Sequence, residues 1–259
     1  MTKFVPRSLI ATALAARENG ELRCDLTGTF YPNADPETTT HDAYIRLSGV
    51  TVSWSTIRST ANATLMSDST VNIPAEIRTS TTSSMWNAMR RGQYGFDLSS
   101  LSGQTVNAVD FSLFGYAAST ESLSGQSYSI AQITPTSWTQ VSLSDYGAIQ
   151  RTKFSTDTSL SSVSIGAENI HSLNSAGIAA IQAAVGSRIM LSQQVASDVD
   201  NLEPTWGSNL TAMCQHCSAE TTGTSSDPRL AVTYSGGGGG GGGVEYGCSG
   251  LSGTSGVVS

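Results

Sequence analysis

The sequence lacks any apolar run near the roughly 18 residues that a bilayer-spanning helix needs, so we predict no membrane partner. Charge is also scarce: charged residues make up 13% of the 259 residues, and the net charge is −7. Nucleic-acid binding requires a basic face, which this composition does not supply. A hydrophobic content of 38% excludes a disordered acidic tail and fits a folded domain.

The cysteines do not form a recognisable metal pattern. Four are present, and two of them form a lone C-x-x-C motif at Cys214 and Cys217, with Cys24 and Cys248 far away in the sequence. A structural zinc site normally takes four ligands, and no second pair occurs at a matching spacing. A centre using His216 and Cys24 stays open as an alternative to buried thiols or one disulfide. We predict no metal and no cofactor.

Catalytic motifs are missing as well. The three histidines are isolated in the sequence, and none accompanies a nucleophile elbow of the type G-x-S-x-G. Pairs of carboxylates can hydrolyse glycosidic bonds, but nothing in the pattern selects one pair among many acids. The chain is therefore predicted not to be an enzyme.

One acidic set has partial resemblance to a calcium loop. Asp198, Asp200 and Glu203 supply hard oxygen ligands at short spacing. The pattern is incomplete and Pro204 follows it, so a solvated turn is the preferred interpretation.

Alternation of apolar and polar residues, typical of half-buried strands, recurs along the chain. It predicts a strand pair over residues 42–54 with a turn at Gly49, a central strand over residues 90–97, and strands over residues 106–116, 128–133, 187–192 and 229–234. Gly103 marks a further turn. Residues 55–84 are polar and give few signals.

One helix is predicted near residue 178. Asn174 or Ser175 can cap it, Ile178 and Ile181 fall on one face, and Gly186 suits its C-terminal end. Many short strands with a single short helix predict an all-β fold, an antiparallel β-sandwich of jelly-roll type over residues 41–235. Residues 1–40 are assigned to an extended N-terminal arm.

Within that arm, residues 9–16 form a short apolar stretch after Lys3 and Arg7. A short signal peptide and an ordered arm or helix both fit this stretch. We favour the arm because the stretch is short and Pro6 interrupts its approach.

The chain ends in a segment of different composition. Eight consecutive glycines, residues 236–243, open a C-terminal tail over residues 236–259. Fixing eight backbones would cost about 8–16 kcal/mol, at about 1–2 kcal/mol per residue. We therefore hypothesise that a partner subunit orders the tail, with assembly contacts at Gly236, Gly243, Val244, Tyr246 and Leu251. Slow amide exchange of the glycines in an isolated monomer would contradict this hypothesis.

Several segments in order resemble a known family. The stretch RRGQYGFDLSSLSGQTVNAVDFSLF at residues 90–114 is followed by SDYG at 144–147, LNSAGIAAI at 173–181 and DPRLAVTY at 227–234. This series resembles DNRLRE-type jelly-roll domains of bacteriophage and bacterial surface proteins, over roughly residues 40–235. The resemblance implies a non-enzymatic β-sandwich used for attachment, spacing or glycan contact.

These observations predict a virion structural protein, such as a phage capsid decoration protein or a tail or fibre subunit. Its expected partners are copies of itself in a closed oligomer, with a trimer favoured by analogy with the family that it resembles, and other virion proteins. The alternative is a glycan-binding adhesin module of a phage or bacterial surface protein, in which Trp54, Trp86, Trp138 and Trp206 stack on host sugars. Core packing is the competing interpretation for each tryptophan.

Overall fold

The computed structural model describes residues 14–18 and 21–236, with side chains from residue 25 onward. All named strand pairs are antiparallel. The strands are β1 (Leu14–Glu18), β2 (Glu21–Phe30), β3 (Asp42–Val52), β4 (Leu65–Ser67), β5 (Asn72–Thr79), β6 (Trp86–Asp97), β7 (Gln104–Glu121), β8 (Ser127–Ile133), β9 (Ile149–Gln150), β10 (Thr158–Ser159), β11 (Glu168–Ser172), β12 (Arg188–Val195), β13 (Thr211–Cys217) and β14 (Arg229–Gly236).

The helices are short and lie between strands. They are α1 (Trp54–Ser59), α2 (Ser175–Ala183) and α3 (Ala196–Asp200), with single 3-10 turns at Ser99–Leu101, Leu143–Gly147 and Leu160–Ser162. The helix predicted near residue 178 is α2, and Asn174 caps it by accepting hydrogen bonds from the amides of Ala176 and Gly177. No helix among the described residues has both the length and the apolar character to cross a membrane.

Two long strands, β6 and β7, each change partner along their length. Residues 86–90 of β6 pair with β5, whereas residues 92–97 pair with β12. Residues 104–112 of β7 pair with β14, and residues 115–121 pair with β13. The antiparallel pairing, the many strands and the few short helices confirm the predicted all-β fold of sandwich type.

Aromatic residues fill the space between the layers. The ring centroid of Phe111 on β7 lies 5.4 Å from that of Tyr94 and 5.7 Å from that of Phe96, both on β6. Tyr128 on β8 contacts His171 on β11 at 5.1 Å and His216 on β13 at 5.3 Å. These rings belong to a buried core to which β6, β7, β8, β11 and β13 all contribute.

The predicted strand pair over residues 42–54 is wrong. Residues 42–52 form the single strand β3, which pairs with β6 from Asp42 to Val52. Gly49, at a φ of 70°, lies where the register shifts between Ser48 and Val52, so it forms a bulge instead of a hairpin turn. Trp54 begins α1.

The sheet also reaches into the segment assigned to the N-terminal arm. Strand β2 pairs with β14 from Leu26 to Phe30, and β1 pairs with β2. Residues 14–16 of the apolar stretch belong to β1, while residues 9–13 lie outside the described part. At the other end, Gly236 closes β14 opposite Gln104 of the same chain.

Candidate functional site

A group of carboxyl groups from two loops is the strongest candidate site. Asp35 and Glu37 lie between β2 and β3, and Glu220 lies between β13 and β14. One carboxylate oxygen from each of the three lies within 4.8 Å of the other two. The topology brings the loops together because β2 and β14 are neighbours in the sheet.

Local hydrogen bonds shape the first of these loops. The side-chain oxygen of Asn33 accepts hydrogen bonds from the amides of Thr39 at 3.0 Å and Thr40 at 3.1 Å. An asparagine that bridges its own loop in this way closes a turn. The turn places Asp35 beside the second loop, where its amide donates to Oε1 of Glu220 at 3.2 Å.

A fourth carboxyl group lies behind the three. Asp42, the first residue of β3, is 1% exposed, and its Oδ2 accepts a hydrogen bond from the amide of Ala219 at 2.8 Å. A pocket of about 390 Å³ opens beside Asp35 and Glu220 and is also lined by Asp227.

Burial, together with repulsion between neighbouring carboxylates, raises the pKa values of these carboxyl groups. Burial, followed by the charges of Glu220 and Asp227, raises the pKa of Asp42 well above its usual range. Burial also raises the pKa of Glu220, and burial together with the neighbouring Asp35 raises the pKa of Glu37 to about 8. The site therefore attracts positive charge, as a proton or as a cation.

A second charged cluster lies inside the sandwich, around Asp198 of α3. Arg91 of β6 donates to both of its carboxylate oxygens, at 2.7 and 3.0 Å, while Arg58 and Arg151 donate to Oδ1 at 3.2 and 2.9 Å. Arg91 is fully buried, and its guanidinium lies 4.0 Å from the ring centroid of Tyr146. Burial alone would raise the pKa of Asp198, but Arg91 and then Arg151 hold it below its usual range.

The acidic set Asp198, Asp200 and Glu203 is not brought together. Asp198 binds arginines, Asp200 pairs with Lys153 at 2.6 Å, and Glu203 accepts a hydrogen bond from the indole of Trp86 at 3.0 Å. The preferred interpretation of this set as a solvated turn is wrong for Asp198, which is 1% exposed and bound by arginines.

Two of the four tryptophans proposed for glycan stacking are unavailable to a sugar. Trp86 is fully buried and Trp54 nearly so, and their ring centroids lie 4.7 Å apart in the core. Their assignment as glycan contacts is corrected to core packing. Trp138 and Trp206 are half-buried, and the indole of Trp206 donates to the carbonyl of Met85 at 3.0 Å.

The C-x-x-C motif contributes buried thiols. Cys214 and Cys217 are free and buried, and burial raises the pKa of Cys214 to about 12. His216 is fully enclosed, and burial lowers its pKa to about 3. The side chain of Cys24, and Cys248 as a whole, lie outside the described part.

The tail contacts are mostly beyond the described residues. Gly236 lies in β14 and pairs within its own chain, while Gly243, Val244, Tyr246 and Leu251 are not described.

Comparison with known proteins adds no relative. No protein-family model matches this chain, and a search of curated proteins finds no match. The resemblance to DNRLRE-type domains stays a prediction.

The sequence analysis missed the carboxyl cluster entirely. Asp35 and Glu220 are 185 positions apart, so no local spacing connects them. The only local signal was the pair Asp35 and Glu37 on either side of Pro36, because Glu220 has no acidic residue closer than Asp227 in the sequence.

Proposed function

We propose that this chain is a non-enzymatic virion structural protein, a phage capsid decoration protein or a tail or fibre subunit, that acts through contacts with copies of itself. The described histidine and cysteine groups support a non-enzymatic role because they face the core. Burial lowers the pKa of His171 to about 4 and raises that of Cys214 to about 12. Groups whose pKa values lie this far from 7 are poor acids, bases or nucleophiles at pH 7.

The observation that carries the proposal is an apolar strand edge. Within the described part of the chain β11 pairs only with β7, so its other edge is open. Ile170 of β11 is 59% exposed, and Ile165, which bridges to Gly115 of β7, is 55% exposed. An open strand edge with apolar side chains favours pairing with another chain.

Charge supports contact between like subunits. Only 13% of the residues are charged, so surfaces of two copies meet with little repulsion despite the net charge of −7. Along the β11 edge, Glu168 is already paired with Arg229 of β14 at 2.6 Å.

Sedimentation velocity of the full chain tests the proposal. We expect a closed oligomer, with a trimer favoured, and we expect Ile170→Asp to shift it towards monomer. Leu202→Asp is the matched control, because Leu202 is 66% exposed and follows α3, outside β11. A full chain that stays monomeric at high micromolar concentration, or an Ile170→Asp variant that assembles normally, would refute the proposed contact.

A further inference from the structure

The loop carboxyl groups have the composition of a calcium site. Asp35, Glu37 and Glu220 each present one oxygen within 4.8 Å of the others. Calcium binds oxygen ligands at about 2.3–2.6 Å, so oxygens on opposite sides of one ion lie about 5 Å apart. The spacing therefore fits a single coordination sphere.

Asp42 gives an independent reason to expect a bound cation. Its carboxyl group is 1% exposed and lies against that of Glu220. Oδ2 receives the amide of Ala219 and the group contacts the carboxyl of Glu220, but Oδ1 has no N–H or hydroxyl donor within the described residues, and the same holds for Glu37 Oε1. Burying a carboxylate oxygen without a partner is strongly unfavourable.

We propose that Asp35, Glu37 and Glu220 bind one Ca²⁺ ion, with Asp42 holding the Glu220 loop behind it. Calcium is the favoured cation because a protein cage of several carboxylates suits it. Magnesium keeps most of its waters and binds one or two carboxylates. The pocket beside Asp35 and Glu220 leaves room for water to complete the coordination.

The ion would join two distant parts of the chain. The loop between β2 and β3 and the loop between β13 and β14 are linked directly by the hydrogen bond from the Asp35 amide to Glu220. A cation shared by both loops adds a much stronger connection and removes the repulsion between their carboxylates.

The test uses the full chain, stripped of metal with a chelator. Calcium chloride is titrated by calorimetry, and thermal unfolding is followed with and without it. We expect one site per chain, and a rise in Tm of about 5–10 °C at a calcium concentration 100-fold above Kd. Magnesium chloride at the same concentration should give less than half of that rise. Absence of calcium heat and of a Tm shift at 10 mM, or an equal response to magnesium, would overturn the proposal.

Two variants locate the site. Glu220→Gln should weaken calcium binding more than tenfold, whereas Glu121→Gln, at the opposite end of β13 beside Ala212, should leave it unchanged. Without calcium, Glu220→Gln should unfold at or above the Tm of the metal-free parent, because it removes one of the crowded charges. Normal calcium binding by Glu220→Gln would place any ion elsewhere and reject these ligands.

Discussion

Replacing Asp198 by asparagine should destabilise this protein more than any other single charge removal we consider. The variant keeps the size of the side chain but removes the negative charge that faces Arg58, Arg91 and Arg151. Arg91 is fully buried, so its charge cannot turn to solvent. Removing one partner of a buried ion pair typically costs about 3–5 kcal/mol.

Asp200→Asn is the matched control for this variant. It makes the same chemical change two residues later, where Asp200 forms a partly exposed ion pair with Lys153. Surface pairs contribute about 0–1 kcal/mol. Urea unfolding at pH 7 and 25 °C should therefore show a large loss for Asp198→Asn and almost none for the control, with similar m-values. Equal small losses in both variants would refute the view that the arginines depend on Asp198.

The same cluster predicts a pH dependence. The pKa of folded Asp198 is lower than its ordinary value of 3.8, so its contribution is present above about pH 4 and is lost as the pH falls through the folded pKa. The parent should lose this part of its stability on acidification below pH 4, and Asp198→Asn should not. Unfolding curves collected between pH 2 and pH 5 measure the difference.

Three further predictions concern the core. Gly115→Ala should lower the unfolding free energy by about 1–3 kcal/mol, because its Cβ would lie 2.1 Å from the carbonyl oxygen of Ser164; unchanged urea unfolding would contradict this. His171 is buried with a pKa of about 4, so its share of the stability lost between about pH 6.5 and 4 is up to about 3 kcal/mol, since the unfolded chain binds the proton first. His171→Gln should remove about half of the slope, because His216, with a pKa of about 3, still titrates in the same direction; an unchanged slope would contradict the role of His171. Trp86→Phe should cost about 1–3 kcal/mol in urea unfolding, through lost packing and the lost hydrogen bond to Glu203, and a neutral effect would show that the site repacks.

Local periodicity was enough to predict parts of the long strands β6 and β7 and the helix α2, but not β2 or the full length of β3. The alternation around Phe111 marks β7, and the cap at Asn174 marks the start of α2. Both signals depend on neighbouring residues alone. Gly49 misled the prediction because a glycine with positive φ serves a bulge as well as a turn, and only the length of the paired strand distinguishes the two.

The charged sites could not be predicted because they depend on which loops meet. The expectation of a solvated turn was wrong for Asp198, because its burial among arginines from α1, β6 and the segment after β9 follows only from the fold. Glu220 belongs with Asp35 only because β14 pairs with β2. The sequence does not distinguish Trp86 from the other tryptophans, because its burial depends on packing against Trp54 in the folded chain.

Strand β14 separates two features of the chain, the acidic loop before it and the glycine run after it. Its first residue, Arg229, follows the loop that carries Glu220, and its last, Gly236, opens the glycine run. At about 3.3 Å per residue, the strand separates these two features by roughly 25 Å. If a partner binds the chain downstream of residue 236, the acidic loops would lie at the far end of β14 from that contact, so assembly and the proposed calcium site would not compete for the same surface.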